Sequence, residues 1–228
     1  MSYHQYKPHP ALHPYIDAYW TVTSGSQTST RILPDGCVDL ICNLGSPLTS
    51  DNTILAPDNV YLIGTMTRFS ETINHPDTHL LGIRFKPGAF ALFYDHPLHE
   101  AADQCIEFER SLLDVRNLDQ YFLDKQKHKH HVLLPIIEDI IAQNGTSKIS
   151  TLTKKHFITE RQLERCFKQY TGISPKAFSN IIRFRAVINQ IRHNTESLET
   201  IAFMNGFYDH AHLTHEIKKY TGHTPVQL

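Results

Sequence analysis

The sequence predicts an α+β protein in which a β-rich part precedes an all-α part. Three observations predict this order. Apolar segments are short and separated by turn residues up to about residue 126, and they follow helical spacing after it. Residues 1–125 carry a formal charge of −7, whereas residues 126–228 carry +6. A nine-residue pattern also occurs twice in the second part. We therefore expect two domains, residues 1–126 and 127–228.

The first domain shows turn residues alternating with apolar segments of strand length. Buried strands are expected where such segments adjoin Gly or Pro-Gly turns, at residues 37–42, 61–63 and 80–85. Apolar spacing favours short helices at residues 14–22 and 89–94. The same spacing predicts a connecting helix at residues 111–123. This domain is therefore expected to be mostly β with a few helices.

The second domain shows helical apolar spacing throughout. Six helices are expected, at residues 131–143, 149–157, 159–170, 175–192, 197–205 and 209–220. Pairing of a short helix, a tight turn and a second helix gives two helix-turn-helix units, at residues 149–170 and 198–220. In the first unit, Leu163 and Phe167 are expected to face inward.

The repeated pattern marks the end of each unit. Residues 167–175 read FKQYTGISP, and residues 217–225 read IKKYTGHTP. Gly172 and Gly222 suit the left-handed position that closes a helix. The hydroxyl-Pro pair that follows each glycine suits an N-cap and the first position of a next helix. The repeat therefore predicts two equivalent helix ends fifty residues apart.

Residues 159–178 and 201–213 resemble the two helix-turn-helix motifs of AraC/XylS-type transcriptional regulators. Several anchor positions coincide at fixed spacing, and the resemblance covers about residues 130–228. It implies a regulator that binds double-stranded DNA with two recognition helices on one monomer. Each helix would enter a segment of the major groove, with the segments about 34 Å apart. The positive charge of this domain agrees with a polyanionic partner.

Long polar side chains on the exposed face of each recognition helix are the expected DNA contacts. In the first unit these are Glu160, Arg161, Glu164, Arg165 and Lys168. In the second unit they are His210, Ala211, His212, Thr214 and His215. The resemblance, carried over position by position, places Arg161, Glu164 and Arg165 at base-facing sites. The alternative for each is a solvated face or a phosphate contact.

The two motifs depart from the family pattern to different degrees. His215 stands where the family usually has Arg, and a neutral imidazole attracts phosphate less than a guanidinium does. In the first motif, Phe157 takes the place of the turn glycine, and Thr153 stands where Ala is usual. We expect the first motif to carry most of the sequence specificity and the second mainly to position the protein.

Residues 19–20, 33–41 and 82–89 resemble an N-terminal domain found in some regulators of this family. The resemblance implies a sensor or dimerisation domain with a mixed α/β, small barrel-like fold. Such a regulator would be controlled by a small-molecule effector or by formation of a homodimer through this domain, with RNA polymerase as a further partner, and the sequence leaves open whether an effector exists. Aromatic and cationic residues in or beside the expected strands would line a ligand pocket, namely Trp20, Arg31, Tyr61 and Arg84. Core packing or a structural salt bridge is the alternative for each of them.

The sixteen histidines raise the alternative of a metal-responsive sensor, because imidazole binds zinc, nickel and copper well. The densest clusters lie at residues 128–131 and 210–215. On a helix, however, His210 and His212 point about 200° apart, so only His212 and His215 share a face. We expect no metal site and no cofactor.

An enzymatic barrel fused to a DNA-binding module is a further alternative. The sequence contains no Gly-rich phosphate loop and no paired carboxylate motif, so we expect no enzyme activity. None of the four cysteines forms a Cys-x-x-Cys pair, which favours a reduced, cytoplasmic protein. No apolar run approaches the ~18 residues of a membrane span, so no membrane association is expected.

Overall fold

The computed structural model describes residues 1–109, 117–126, 132–193 and 196–227. The first of these ranges forms two antiparallel sheets. The larger sheet has the strand order β1-β2-β9-β4-β7-β10. Its strands are β1 (Ser2–Tyr6), β2 (Ile16–Ser24), β4 (Val38–Asn43), β7 (Val60–Ile63), β9 (Thr78–Phe85) and β10 (Cys105–Phe108). The smaller sheet has the order β3-β8-β5-β6, with strands β3 (Thr28–Ile32), β5 (Leu48–Ser50), β6 (Thr53–Leu55) and β8 (Ser70–Asn74).

Side chains of the larger sheet alternate between two apolar layers, as the period of two in a strand requires. Tyr19, Leu40 and Ile83 face a core that three short 3-10 helices and the helix α1 (Leu118–Lys125) cover. Their neighbours Trp20 and Ile41 face the smaller sheet instead. The two sheets therefore pack face to face around an internal space.

The helical region is built from six helices within the described residues. These are α2 (Leu133–Ala142), α3 (Ile149–Lys155), α4 (Glu160–Thr171), α5 (Pro175–His193), α6 (Leu198–Met204) and α7 (His210–Thr221). Their apolar faces share one core that is separate from the cores of the sheet region. The chain ends in a short 3-10 turn at Pro225–Gln227. The predicted α+β class, with a β-rich part before a helical part, is confirmed.

The predicted front helix at residues 14–22 is wrong, because this segment is mostly strand β2. The segment is rich in β-branched and aromatic residues, such as Ile16, Trp20 and Val22, which suit a half-buried strand. The expected helix at residues 89–94 is only a 3-10 turn, Phe90–Leu92. The predicted connecting helix lies partly outside the described residues, and its described part belongs to α1. The strands expected at residues 37–42, 61–63 and 80–85 are confirmed as β4, β7 and β9.

The boundary between residues 126 and 127 stays a prediction. Phe122 of α1 is fully buried in the core of the sheet region. Leu133 of α2 is buried in the core of the helical region. The change from one core to the other therefore falls between these two side chains.

Candidate nucleic-acid interface

The first recognition helix, α4, is fixed at both ends by local hydrogen bonds. Thr159 accepts a hydrogen bond from the backbone N–H of Gln162 (3.2 Å), and the Gln162 side chain accepts one from the backbone of Thr159 (3.0 Å). This is a capping box, which satisfies two helix-end donors at once. The helix ends at Gly172, whose φ is 81°. The position of α4 is therefore encoded by residues within its own segment.

The buried and exposed faces of α4 are clearly separated. Leu163 and Phe167 are fully buried, as predicted. The opposite face consists of five exposed polar side chains, Glu160, Arg161, Glu164, Arg165 and Lys168. None of these five forms an ion pair or a side-chain hydrogen bond with any residue that the structure describes. Their charged groups are available to an external partner.

The second recognition helix, α7, has the same construction with different surface chemistry. Asp209 accepts a hydrogen bond from the backbone N–H of His212 (2.7 Å), and Gly222 closes the helix with a φ of 73°. Leu213 and Ile217 are buried. Four of the predicted contact residues are exposed and one is half-buried, namely His210, Ala211, His212 and His215, with Thr214 the half-buried one.

The turns of the two units adopt the same backbone conformation with different residues. Phe157 has a φ of 50°, and Gly206 occupies the corresponding place with a φ of 70°. Glycine adopts a positive φ at no steric cost, whereas an aromatic residue there is strained. The Phe157 side chain gains nothing in return from packing, because it is 97% exposed. Phe157 therefore occupies the left-handed turn position that a glycine, Gly206, occupies in the second unit.

The long helix α5 joins the two units and contacts both of them. On the side of the first unit, Phe178 packs its ring against Phe167, with centroids 5.7 Å apart. On the side of the second unit, Phe184 packs against Tyr220 at 4.7 Å. The guanidinium of Arg183 lies 4.3 Å from the centre of the Phe207 ring. These contacts fix the relative placement of α4 and α7.

Both repeated helix ends lie against the sheet region. A Cβ atom at Gly172 would stand 2.5 Å from the carbonyl oxygen of Leu98, and one at Gly222 would stand 2.9 Å from the Phe69 ring. Arg31 of β3 donates a hydrogen bond to the Thr221 carbonyl (2.8 Å). The glycine of each repeat therefore serves two purposes, because it takes the left-handed conformation and allows close contact with the other domain.

Two of the four predicted ligand residues line one cavity. A space of about 110 Å³ lies between the two sheets, and both Trp20 and Arg84 line it. The Trp20 indole donates a hydrogen bond to Asp39 (2.9 Å), and Arg84 donates to the same carboxylate oxygen (3.3 Å). A Cβ atom at Gly82 would overlap the Trp20 ring, so the glycine makes room for the indole.

The other two predicted ligand residues lie elsewhere. Tyr61 is buried in the core between the sheets, where its hydroxyl accepts a hydrogen bond from the backbone N–H of Ala56 (2.7 Å). Arg31 points to the helical region and pairs with Glu71. The four residues therefore do not form a single pocket, and their roles in ligand binding stay predictions.

Asp39, for which no role was predicted, also lines the cavity between the sheets and accepts hydrogen bonds from both Trp20 and Arg84. Burial raises the pKa of this carboxyl, and the adjacent Arg84 guanidinium partly opposes that shift. For Arg84 itself, burial lowers the pKa, but the neighbouring carboxylates of Asp39 and Asp35 outweigh it and raise the pKa above its ordinary value. A lone Asp within an apolar strand was the signal in the sequence, because such a carboxylate requires a partner.

The described residues contain no group of three or more His, Cys, Asp or Glu side chains that could hold a metal ion. The histidines of residues 128–131 lie outside the described residues. The four cysteines are free thiols. Among the helices of the described ranges, none has both the length and the apolar character of a membrane span.

A two-sheet domain followed by two helix-turn-helix units on one connecting helix defines the class of this protein. Residues 152–228 match the family model described as a helix-turn-helix domain. Residues 4–107 match a model described as a domain of unknown function, DUF6597. The C-terminal domain is an AraC-type helix-turn-helix domain, as its relatives also indicate.

The curated relatives are transcriptional activators named RhaS. The RhaS protein of Escherichia coli O139:H28 is 27% identical over 121 residues, which are 53% of this chain and 43% of RhaS. RhaS of Klebsiella pneumoniae is 39% identical over 82 residues, 36% of this chain and 29% of RhaS. The matched region spans less than half the length of these relatives.

A solved structure has the same fold at low sequence identity. The apo K231A variant of ToxT from Vibrio cholerae matches 92% of this chain and 95% of ToxT. The TM-score is 0.51 and the identity is 10%. The two-domain fold is therefore shared with ToxT.

Proposed function

We propose that this protein is a sequence-specific DNA-binding regulator of transcription. The observation that carries the proposal is the pair of capped helices α4 and α7, joined through α5, whose predicted DNA-contact side chains are exposed apart from the half-buried Thr214. An exposed helix face with several unpaired polar side chains suits the major groove. The RhaS relatives, which are named transcriptional activators, support the same function.

Each recognition helix would enter the major groove with the N-terminal half directed at base edges. On α4, Arg165 can donate two hydrogen bonds to a guanine, and Glu164 can accept one from a cytosine amine. On α7, the corresponding positions carry mainly imidazole groups. We therefore infer that α4 provides most of the discrimination between sequences, while α7 adds contacts that orient the protein.

The N-terminal domain would act as the sensor or dimerisation domain of this regulator. The cavity between the sheets is mainly apolar, with hydroxyl groups and the Arg84–Asp39 pair on its wall, which suits a small organic effector. A ToxT structure with a TM-score of 0.50 to this chain is bound to (E)-4-(8-methylnaphthalen-1-yl)but-3-enoic acid. That structure supports an effector for the present fold.

The remaining assignments follow from this role. We propose that the chain acts in the cytoplasm, where the DNA of a bacterial-type regulator lies, and that it catalyses no reaction. Homodimerisation and contact with RNA polymerase are proposed as its protein interactions.

Selection from a random pool of duplex DNA by the full chain tests the proposal. We expect enrichment of one site with two conserved segments about one helical turn apart. The log of the binding constant should fall linearly with the log of the salt concentration, as ions leave the DNA phosphates. A variant with both Arg161 and Arg165 changed to Ala should enrich no site. A pool that stays random with the unmodified chain would contradict the function.

A further inference from the structure

An open cleft of about 450 Å³ lies between the sheet domain and α5. Guanidinium groups line it from both sides. Arg31 of β3 and Arg84 of β9 come from the sheet domain, and Arg185 and Arg192 come from α5. Among the described residues that line this arginine cleft, Asp35 provides the one carboxylate.

One face of α5 is directed into the arginine cleft. Arg185, Asn189 and Arg192 are spaced by four and three residues, which places them on the same side of a helix. All three are exposed. Arg192 forms no hydrogen bond or ion pair with any residue in the described ranges. Since a guanidinium offers five N–H donors, this face has unused capacity to bind anions.

Asp35 pairs only weakly with the guanidinium groups of Arg84 and Arg185. One of its oxygens stands 3.4 Å from Arg84 Nη1 and also 3.4 Å from Arg185 Nη1. Charge-assisted hydrogen bonds are usually about 2.7–2.9 Å long, so both ion pairs are loose. The other oxygen accepts a hydrogen bond from the backbone N–H of Cys37 (2.9 Å). A single carboxylate is thus shared between arginines of the two domains.

Two of the four arginines of the cleft also pair with carboxylates that do not line it. Arg31 pairs with Glu71 and donates to the Thr221 carbonyl, so it forms a fixed part of the wall. Arg84 also donates to Asp39, which lines the cavity between the sheets and not the cleft. The unsatisfied donors are therefore concentrated on Arg185 and Arg192, with Arg84 opposite them.

We propose that the arginine cleft binds a small molecule through an oxyanion group, a phosphate or a carboxylate. The anion would accept hydrogen bonds from Arg185 and Arg192 and would complete the loose contact with Arg84. Guanidinium forks match the geometry of both oxyanions. The site is distinct from the apolar cavity between the sheets, although Arg84 contributes to the walls of both.

The recessed position of the cleft favours a small ligand over a DNA phosphate. The side chains of Arg84 and Asp35 are only 29% and 10% exposed. The expected DNA contacts lie on α4 and α7, whereas the cleft lies between α5 and the sheet domain. A ligand there would hold α5 against the sheet domain. Any effect of the bound ligand on DNA binding rests on the proposed function, whereas the binding of the anion itself does not.

Titration calorimetry on the full chain, without DNA, tests the site. The probes are inorganic pyrophosphate and citrate, each compared with sodium chloride at equal ionic strength. We expect one of the two probes to bind with a Kd below about 1 mM, and the better probe identifies the anion as phosphate or carboxylate. Failure of both probes to bind would overturn the proposal.

Variants locate the binding. Arg185→Ala and Arg192→Ala should each weaken binding about tenfold or more, because each removes a charge-assisted hydrogen bond. Asp35→Asn should strengthen binding, since it removes the competing charge and keeps the oxygen that accepts from Cys37. Arg68→Ala, which removes an exposed guanidinium outside the lining of the cleft, serves as the matched control and should leave the Kd unchanged.

Two results would contradict this assignment. Equal loss of probe binding in Arg68→Ala and Arg192→Ala would indicate general attraction of anions to exposed basic side chains. If Arg192→Ala instead weakened DNA binding and left probe binding intact, Arg192 would be a DNA phosphate contact. The thermal unfolding midpoint of each variant is compared with that of the unmodified chain, and an unchanged midpoint excludes misfolding as the cause of lost binding.

Discussion

Arg31 of the sheet domain donates a hydrogen bond to the carbonyl oxygen of Thr221, in the last turn of the second recognition helix. The same guanidinium contacts His223 (2.6 Å) and lies 4.4 Å from the centre of the Phe69 ring. The contacts with Thr221 and His223 join residues 190 and 192 positions apart in the chain. They make the sheet domain part of the support of α7.

Replacing Arg31 by Ala is expected to loosen the C-terminal end of α7. The variant removes the charged donor of this hydrogen bond and leaves the Thr221 carbonyl without it, at a cost of about 1–3 kcal/mol. Hydrogen exchange of the α7 amides should therefore accelerate, while that of α4 stays unchanged. Arg68→Ala is the matched control, since Arg68 is exposed nearby and forms no ion pair within the described chain. Equal exchange in both variants would argue against a support role.

Gly172, which closes α4, should tolerate Ala much less well than Gly206, which lies in the turn of the second unit. Gly172→Ala adds positive-φ strain and a clash with the Leu98 carbonyl, so we expect a loss of about 2–4 kcal/mol in the free energy of unfolding. Gly206→Ala has the same strain but no neighbouring atom within 4 Å, so about 1–2 kcal/mol is expected. Urea denaturation measures both. Similar losses of unfolding free energy in the two variants would mean that the contact between Gly172 and Leu98 can rearrange to accept the added methyl group.

Phe157→Gly should stabilise the protein. The exposed phenylalanine contributes almost no burial, and glycine relieves the positive φ, so a gain of about 0.5–1 kcal/mol is expected. Tyr208→Gly is the control, because Tyr208 is 92% exposed but has no positive φ. That variant should lose stability through the greater flexibility of its unfolded chain. A loss in both variants would show that Phe157 is not strained.

Arg165→Ala should weaken binding to the selected DNA site by about 1–3 kcal/mol, with a smaller effect on random DNA. The reason is that a bidentate contact to guanine discriminates between bases, whereas a phosphate contact does not. Fluorescence anisotropy on both duplexes measures the difference. An equal loss on the two duplexes would make Arg165 a phosphate contact.

Acid should remove a stabilising contribution of Asp139. Hydrogen bonds from Lys155 and His156 hold the pKa of this carboxyl below its ordinary value. A carboxyl of this kind contributes stability that is fully present above its unfolded pKa of about 4 and lost as the pH falls through the folded pKa. The stability difference between the unmodified chain and Asp139→Asn should therefore be largest above pH 5 and shrink below pH 4. A constant difference from pH 3.5 to 6 in urea denaturation would contradict this.

The sequence predicted best those features that neighbouring residues determine. The caps Thr159 and Gly172 lie within or beside the helix that they fix, so α4 was predicted almost to the residue. The segment containing Trp20 was wrongly predicted as a helix although its β-branched and aromatic residues favour a strand, and its strand partners are β1 and, about sixty residues later, β9. The contact of Arg31 with Thr221 had no local signal at all. Trp20 and Arg84 both line the cavity between the sheets, but Asp39, which accepts a hydrogen bond from each, becomes recognisable only in the folded sheet.

The contact of Gly172 and Gly222 with the sheet domain restricts how this protein can be recombined. A helical region transplanted onto another N-terminal domain would bring two glycine sites that are packed closely against the Leu98 carbonyl and the Phe69 ring in this protein. A working chimera would have to carry both of these complementary surfaces across the junction. The two domains therefore form a matched pair rather than interchangeable modules, and their junction is the natural place to look for incompatibility between hybrids.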